Sequence, residues 1–306
     1  MGGGGGYFKP EKSLDELLKE NSNKEEVESF KQDVNTYLSN LLVNVNDRDT
    51  EKIQTHIDTL KKALEKEIEG AIELKFGGSV SKHTYANGLS DIDILVGINK
   101  SSLANSTPSE VLNYFQEMIK ERLPGTKVKV GDLAVTVKFS SEHEIQLLPS
   151  VITKTGHRIA VPGKNEWSNV VRPQKFAEKL TQINRENSGR VVPIIKLFKV
   201  INNQLAKGLQ LSGYHIESLA INFFKSYKGD MKYHTMVKEF CNYSQKAVLT
   251  PIKDSTGQSI NVDGYLGSSG SINRRQISKA LERLSNKMNR SDSQKSLDEW
   301  KKLLGE

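Results

Sequence analysis

Apolar positions in the first quarter of the chain fall at helical spacing. Ile53, Ile57, Leu60, Leu64 and Ile68 recur every three or four residues with charges between them, which predicts a long amphipathic helix closed by Gly70. The period then changes to two. Ile72, Leu74 and Phe76 alternate with Glu73 and Lys75, so residues 71–76 read as a strand. Gly77, Gly78 and Ser79 follow at once, then a polar loop and a second strand over 92–98 that Asp93 interrupts. Pro108 and Ser109 open a helix carrying Val111, Leu112, Phe115, Met118, Ile119 and Leu123, and Pro124-Gly125 signals a turn. Three more strands are predicted over 128–130, 133–139 and 144–148, with 140–143 turning between the last two.

Beyond Pro149 the pattern changes character. A polar loop over 153–173 holds Gly156, Pro162 and Gly163, and helices are predicted over 191–200, 214–224 and 271–288. The expected organisation is therefore a flexible glycine-rich tail over 1–10, an α/β half over 11–165 that includes the N-terminal helices, and a helical half over 166–306. No internal repeat or heptad register is present.

Composition narrows the class. No apolar stretch in the 306 residues approaches the ~20 that a membrane span needs. Cys241 is the only cysteine, which excludes an intramolecular disulfide framework and a cysteine-rich zinc site. Residues 1–10 lack the apolar segment of a secretory signal, so a cytoplasmic protein without a membrane partner is expected. Lys plus Arg (44) exceeds Asp plus Glu (37), a formal charge of +7. That balance suits a surface handling nucleotides or nucleic acid, and equally a surface charged for solubility.

The candidate chemistry lies where the first two strands meet. A strand entering Gly77-Gly78-Ser79 lets backbone come close to a ligand, offers free N–H groups and adds a hydroxyl, which suits the phosphates of a nucleoside triphosphate. On the next strand Asp91 and Asp93 stand two residues apart and so share a face. Adjacent carboxylates are costly unless a cation lies between them, and Mg²⁺ takes hard oxygen ligands shared with substrate phosphates. The turn is not a Walker P-loop, because no Gly-Lys-Ser/Thr follows four spacer residues.

Gly78-Ser79 followed by Asp91-Ile92-Asp93 resembles the signature of the polymerase-β-type nucleotidyltransferase superfamily. Glu144-Ile145-Gln146-Leu147-Leu148-Pro149 is similar to the strand segment of oligoadenylate synthetases. Lys196-Leu197-Phe198, the Leu211–Glu217 segment, Val262-Asp263-Gly264-Tyr265, Arg274-Arg275 and the end from Trp300 resemble further parts of the cGAS/DncV-like nucleotidyltransferases. The resemblance runs from about residue 50 to residue 306.

It implies an α/β (α+β), two-lobed fold, with a mixed twisted sheet, a helical lobe and a long N-terminal spine helix. It also implies synthesis of a cyclic di- or trinucleotide from ATP, GTP or other NTPs with Mg²⁺ or Mn²⁺. The product would act on an effector in CBASS anti-phage defence, under a regulatory RNA or protein trigger. By resemblance Lys196 touches the triphosphate, with Lys199 as a competitor, and Ser212 bonds a phosphate, although Gly213 intervenes before Tyr214. His215 and Glu217 are read as packing and capping residues. The superfamily's third carboxylate aligns with Gln146. Three alternatives stay open: Glu144 supplies that carboxylate from two residues earlier, Gln146 serves as a neutral ligand, or the chain is inactive. The rival functions are another template-independent nucleotidyltransferase of the RNA-tailing kind and a catalytically silent nucleotide or RNA sensor.

Overall fold

A mixed sheet with two helices against it and a bundle of helices make up the molecule. The computed structural model describes residues 14–47, 49–66, 68–89, 91–141, 143–254 and 261–306; the tail expected over 1–10 lies outside them. Helix α1 (Leu14–Asn46) buries Phe30, Val34, Leu38, Leu42 and Val45 along one stripe. Helix α2 (Thr50–Glu65) starts at Asp49, whose carboxylate accepts from Lys52 N, and buries Ile53, Ile57, Leu60 and Leu64 as the spacing predicts.

Gly70 does not cap α2. It opens strand β1 (Gly70–Phe76) with φ +99°, and a Cβ there would lie 1.9 Å from the Lys100 carbonyl oxygen. A glycine stands there because the neighbouring backbone comes too close for a side chain.

The one-turn helix α3 (Gly78–Ser81) follows, then β2 (Ile92–Ser101), α4 (Pro108–Arg122), β3 (Lys127–Val130), β4 (Val135–Lys138), β5 (Glu144–Thr153) and β6 (Gly156–Ile159). Thr107 and Glu110 close the start of α4 by bonding each other's backbone N–H. The sheet order is β1-β2-β5-β4-β3 with β6 beside β5, and β2 runs parallel to β5 while the other pairs are antiparallel. Strand β5 continues through Pro149, where pairing with β4 has ended at Leu147 and pairing with β6 begins at Ser150. On that edge the proline falls in a gap, while on the other it lies opposite Val96 of β2. Strand β6 lies inside the segment expected to be loop; its four residues, Gly156, His157, Arg158 and Ile159, show too little alternation to announce a strand.

The helical half comprises α5 (Pro173–Glu186), α6 (Val191–Asn203), α7 (Gly213–Phe224), α8 (Tyr233–Ala247), α9 (Ile272–Ser293) and α10 (Leu297–Leu304). Two cores result. One fills the space between the sheet, α2 and α4; the other gathers α5 to α10. The division expected at residue 165 is crossed, because α1 packs into the second core against α6, α8 and α10. Amphipathic spacing shows that a face is apolar but not which neighbour covers it. Ala86 also joins that core, and Asn87 N donates to Val45 O at 3.0 Å, so the loop after α3 is tied to the helical half. Among the described residues no helix is long and apolar enough to cross a membrane.

Candidate active site

The end of β1 and the start of β2 build the first wall of a cleft. Gly77 N donates to Asp93 O at 2.8 Å and fixes the turn against β2. Gly78 adopts φ +45°, and a Cβ on it would fall 1.5 Å from Asp93 Oδ2. Only glycine lets the Asp93 carboxylate lie beneath the turn. Ser79 follows with its Oγ buried and without a hydrogen-bond partner. Its carbonyl accepts from Thr84 N at 2.9 Å and Tyr85 N at 3.1 Å, which folds the loop back. A buried hydroxyl left unbonded is costly unless a ligand bonds it.

The parallel register of β2 and β5 sets Asp93 opposite Gln146 and Ile92 opposite Ile145, so Glu144 falls beside Asp91. Gln146 Nε2 donates to Asp91 Oδ2 at 2.6 Å. Four polar side chains thus share one sheet face. Burial, and then the charge of Asp91, pushes the Asp93 carboxyl up to about 6. Burial and the charge of Glu144 raise that of Asp91. Crowded carboxylates of this kind are what a divalent cation relieves, and hard oxygens fit Mg²⁺. Among the described residues no three His, Cys, Asp or Glu side chains converge as a metal-holding group; Asp91 and Asp93 both line the cleft, and Glu144 is near enough to Asp91 for its charge to be felt there.

Helices α6 and α7 form the opposite wall. The cavity between the walls has a volume of about 340 Å³ and is lined by Gly78, Ser79, Lys82, Asp91 and Asp93 on one side. Lys199, Asn202, Leu211, Gly213, Tyr214 and Glu217 line the other. Clefts between lobes are favoured ligand sites.

The model of the Second Messenger Oligonucleotide or Dinucleotide Synthetase domain matches residues 29–184, just over half of the chain. The chain belongs to that family. It is a cGAS/DncV-like nucleotidyltransferase, as the motifs implied. No curated protein matches it. Among solved structures it is similar to CdnC of Escherichia coli MS115-1 with ATP, at 16% identity and TM-score 0.65, covering 85% of this chain and 92% of that one. It is also similar to the STING-associated CdnE c-di-GMP synthase of Capnocytophaga granulosa, at 17% identity and TM-score 0.61, covering 94% and 95%. A third is the Vibrio cholerae DncV cyclic AMP-GMP synthase with a linear intermediate, at 13% identity and TM-score 0.62, covering 96% and 91%. At these identities the likeness speaks for the fold, which is polymerase-β-like.

Within this nucleotidyltransferase the expected residues do not all converge. Lys196 points away from the cleft; its Nζ donates to Asn46 Oδ1 on α1 at 2.5 Å. Lys199 lines the cleft instead. Three residues along a helix leave the two lysines only about 60° apart, so it is their partners that separate them: Lys196 is drawn to Asn46 on α1 and Lys199 to Glu217 and Thr84, although both are buried. Ser212 is not on the lining: its Oγ caps α7 by accepting from His215 N at 3.2 Å, and its own N donates to Tyr265 Oη at 3.2 Å. Gly213 carries the lining past it.

Glu217, read as a packing residue, sits at the floor of the cleft and accepts from Lys82, Thr84 Oγ1 and Lys199. Its signal in the sequence was a lone carboxylate between Ile216 and Leu219 in an apolar helix, where an unpaired charge is not tolerated. His215 stays structural, packed beside Asp263 and Tyr265. Lys199→Met is expected to weaken nucleotide binding about tenfold or more, whereas Lys196→Met should lower only the melting temperature. Titrating both variants with a non-hydrolysable triphosphate separates the two.

Proposed function

We propose that this chain makes a cyclic di- or trinucleotide from NTPs and releases pyrophosphate. The observation that carries the reading is the unpartnered Ser79 hydroxyl over the Gly78 turn, beside the Asp91–Asp93 pair and across the cleft from Lys199. Asp91 and Asp93 would hold Mg²⁺, or Mn²⁺, which neutralises phosphate charge and acidifies the attacking hydroxyl. Ser79 Oγ donates to the phosphate tail, and Lys199 balances its charge. The acceptor's 3′- or 2′-oxygen bonds to the α-phosphorus as the bond to pyrophosphate breaks, and positioning and charge stabilisation supply much of the rate. Glu144, whose register puts it beside Asp91, would serve as the third acid and take the hydroxyl proton. Glu144→Gln is therefore expected to cut turnover about tenfold to a hundredfold while triphosphate binding stays. Single-turnover rates set beside binding titrations check this.

Charge makes the cation obligatory. Asp91, Asp93 and Glu217 outnumber Lys82 and Lys199 around the cavity, so a bare triphosphate meets net negative charge. Chelating divalent ions is expected to weaken triphosphate binding about a hundredfold, measured by titration with and without EDTA.

Incubation with all four NTPs and Mg²⁺ tests the function. Mass spectrometry should detect a phosphatase-resistant product from wild-type protein and none from the Asp91→Asn, Asp93→Asn double variant. A product that forms only on an added RNA end would favour the tailing reading instead. The place of Gln146 opposite Asp93 favours one second reading, a nucleotide-binding sensor without turnover. Synthesis that appears only after Gln146→Asp would support it. The signalling role follows from the reading: the product reaches a separate effector in anti-phage defence.

A further inference from the structure

We propose that Lys82 is a second triphosphate-binding cation of the cleft, and that buried Glu217 is the positioning residue holding Lys82 and Lys199 there, an inference resting on the nucleotidyltransferase reading above. Glu217 is 1% exposed, inside α7. Its two carboxylate oxygens are divided between two parts of the chain. Oε2 takes the Lys82 ammonium; Oε1 takes Lys199 Nζ at 3.2 Å and the Thr84 hydroxyl. Lys199 also donates to Thr84 O at 2.9 Å. Lys82 and Thr84 come from the loop leaving the phosphate turn, Lys199 and Glu217 from the helical wall. One carboxylate therefore joins the two walls at the depth of the cavity.

A purely structural buried pair needs one cation for one anion. Here two ammonium groups share a single carboxylate, and both line the cavity. The other carboxylates on the lining are Asp91 and Asp93, whose charges a divalent cation bound there would offset. Positive charge then remains at the cavity wall, three residues past Ser79, where an anion would be received. The Lys82 side chain is also held in place. Its Nζ lies 5.0 Å from the centre of the Phe176 ring and 5.6 Å from that of Tyr214, two rings whose own centres are 4.7 Å apart, so the ammonium has an aromatic pair on one side and the Glu217 carboxylate as its ion-pair partner. A lysine confined in this way loses little further freedom when it meets a phosphate. The ion pairs with Glu217 fix where the ammonium groups sit; Lys199 directs its donors to Thr84 O, Thr84 Oγ1 and Glu217, whereas the bond to Glu217 occupies one of the three N–H donors of Lys82.

The test compares phosphate number, which a merely structural role does not discriminate. With Mg²⁺ present, the tightest of four non-hydrolysable NTPs and the matching monophosphate are titrated into wild type, Lys82→Met and Glu217→Gln. Lys82→Met is expected to weaken the triphosphate about tenfold or more and to leave the monophosphate within about twofold. Glu217→Gln should do the same, and the double variant should lose less than the product of the two single losses, because Glu217 acts partly through Lys82. If Glu217→Gln does not fold, Glu217→Asp replaces it, keeping the charge but withdrawing it by one methylene. Triphosphate affinity within about twofold of wild type in Lys82→Met, or equal losses for both nucleotides in the Glu217 variant, overturns the inference. Wild-type protein that binds none of the four triphosphates overturns the nucleotidyltransferase reading itself, and this inference with it.

Discussion

Asp93→Asn is expected to stabilise the metal-free protein while removing its synthesis activity. The Asp93 carboxyl is pushed up to about 6, first by burial and then by Asp91. Its unfolded-chain value is near 3.8, so between pH 4 and 6 the folded protein binds the extra proton. Stability from this group is therefore greatest below pH 4 and is lost as pH rises through 6. At neutral pH the loss is on the order of 2–3 kcal/mol, and asparagine, which has no charge to bury, restores it. For a protein of this size that corresponds to a rise of roughly 3–5 °C in melting temperature. Turnover should fall about a thousandfold or more, since half of the cation's close grip is gone. Thermal melts in chelator across pH 4.5–8 check the stability half of the claim. A wild-type melting temperature that lacks the expected extra fall relative to Asp93→Asn over this range would contradict it. Added Mg²⁺ should raise the wild-type melting temperature more at pH 7.5 than at pH 5, and should not raise that of the variant.

The second large effect is expected at Gly78→Ala. A methyl group there would sit 1.5 Å from Asp93 Oδ2, so either the turn or the carboxylate must move. The backbone conformation, with φ +45°, adds a penalty of about 1–2 kcal/mol for any side chain. A displacement of about 1 Å at a reacting centre is enough to lower turnover about a hundredfold. The overlap also predicts coupling. In an Asp93→Gly background, with no carboxylate to strike, Gly78→Ala should cost less stability than it does in wild type. Equal costs in the two backgrounds would show that the methyl group is accommodated elsewhere.

The turn and the aspartate strand were legible in the sequence because their chemistry lies in one contiguous stretch whose alternation marks the strands. Gly78, Ser79, Asp91 and Asp93 needed only the rule that neighbours two apart share a face. Lys196 and Lys199 were not separable in this way. Helix α6 is apolar nearly all round, so no polar face shows which lysine meets the cleft; α1, folding in from the start of the chain, decides it by taking Lys196. Glu217 depended on a contact across more than a hundred residues, from the loop at Lys82 and Thr84 to α7. Gly70 looked like a helix cap because a glycine after an amphipathic run ordinarily is one, and only the approach of Lys100 gives it a different reason. Local periodicity identified elements well. It carried no information on which elements would cover one another, and both α1 and the cleft's lysines turn on that.

The most direct test of the account is a crystal structure of the wild-type protein with Mg²⁺ and a non-hydrolysable triphosphate. The account predicts a cation bridging Asp91 and Asp93, with the phosphate tail on Ser79 Oγ and Lys199. A triphosphate bound with no cation at that pair, or one seated away from the Gly78 turn, would contradict it.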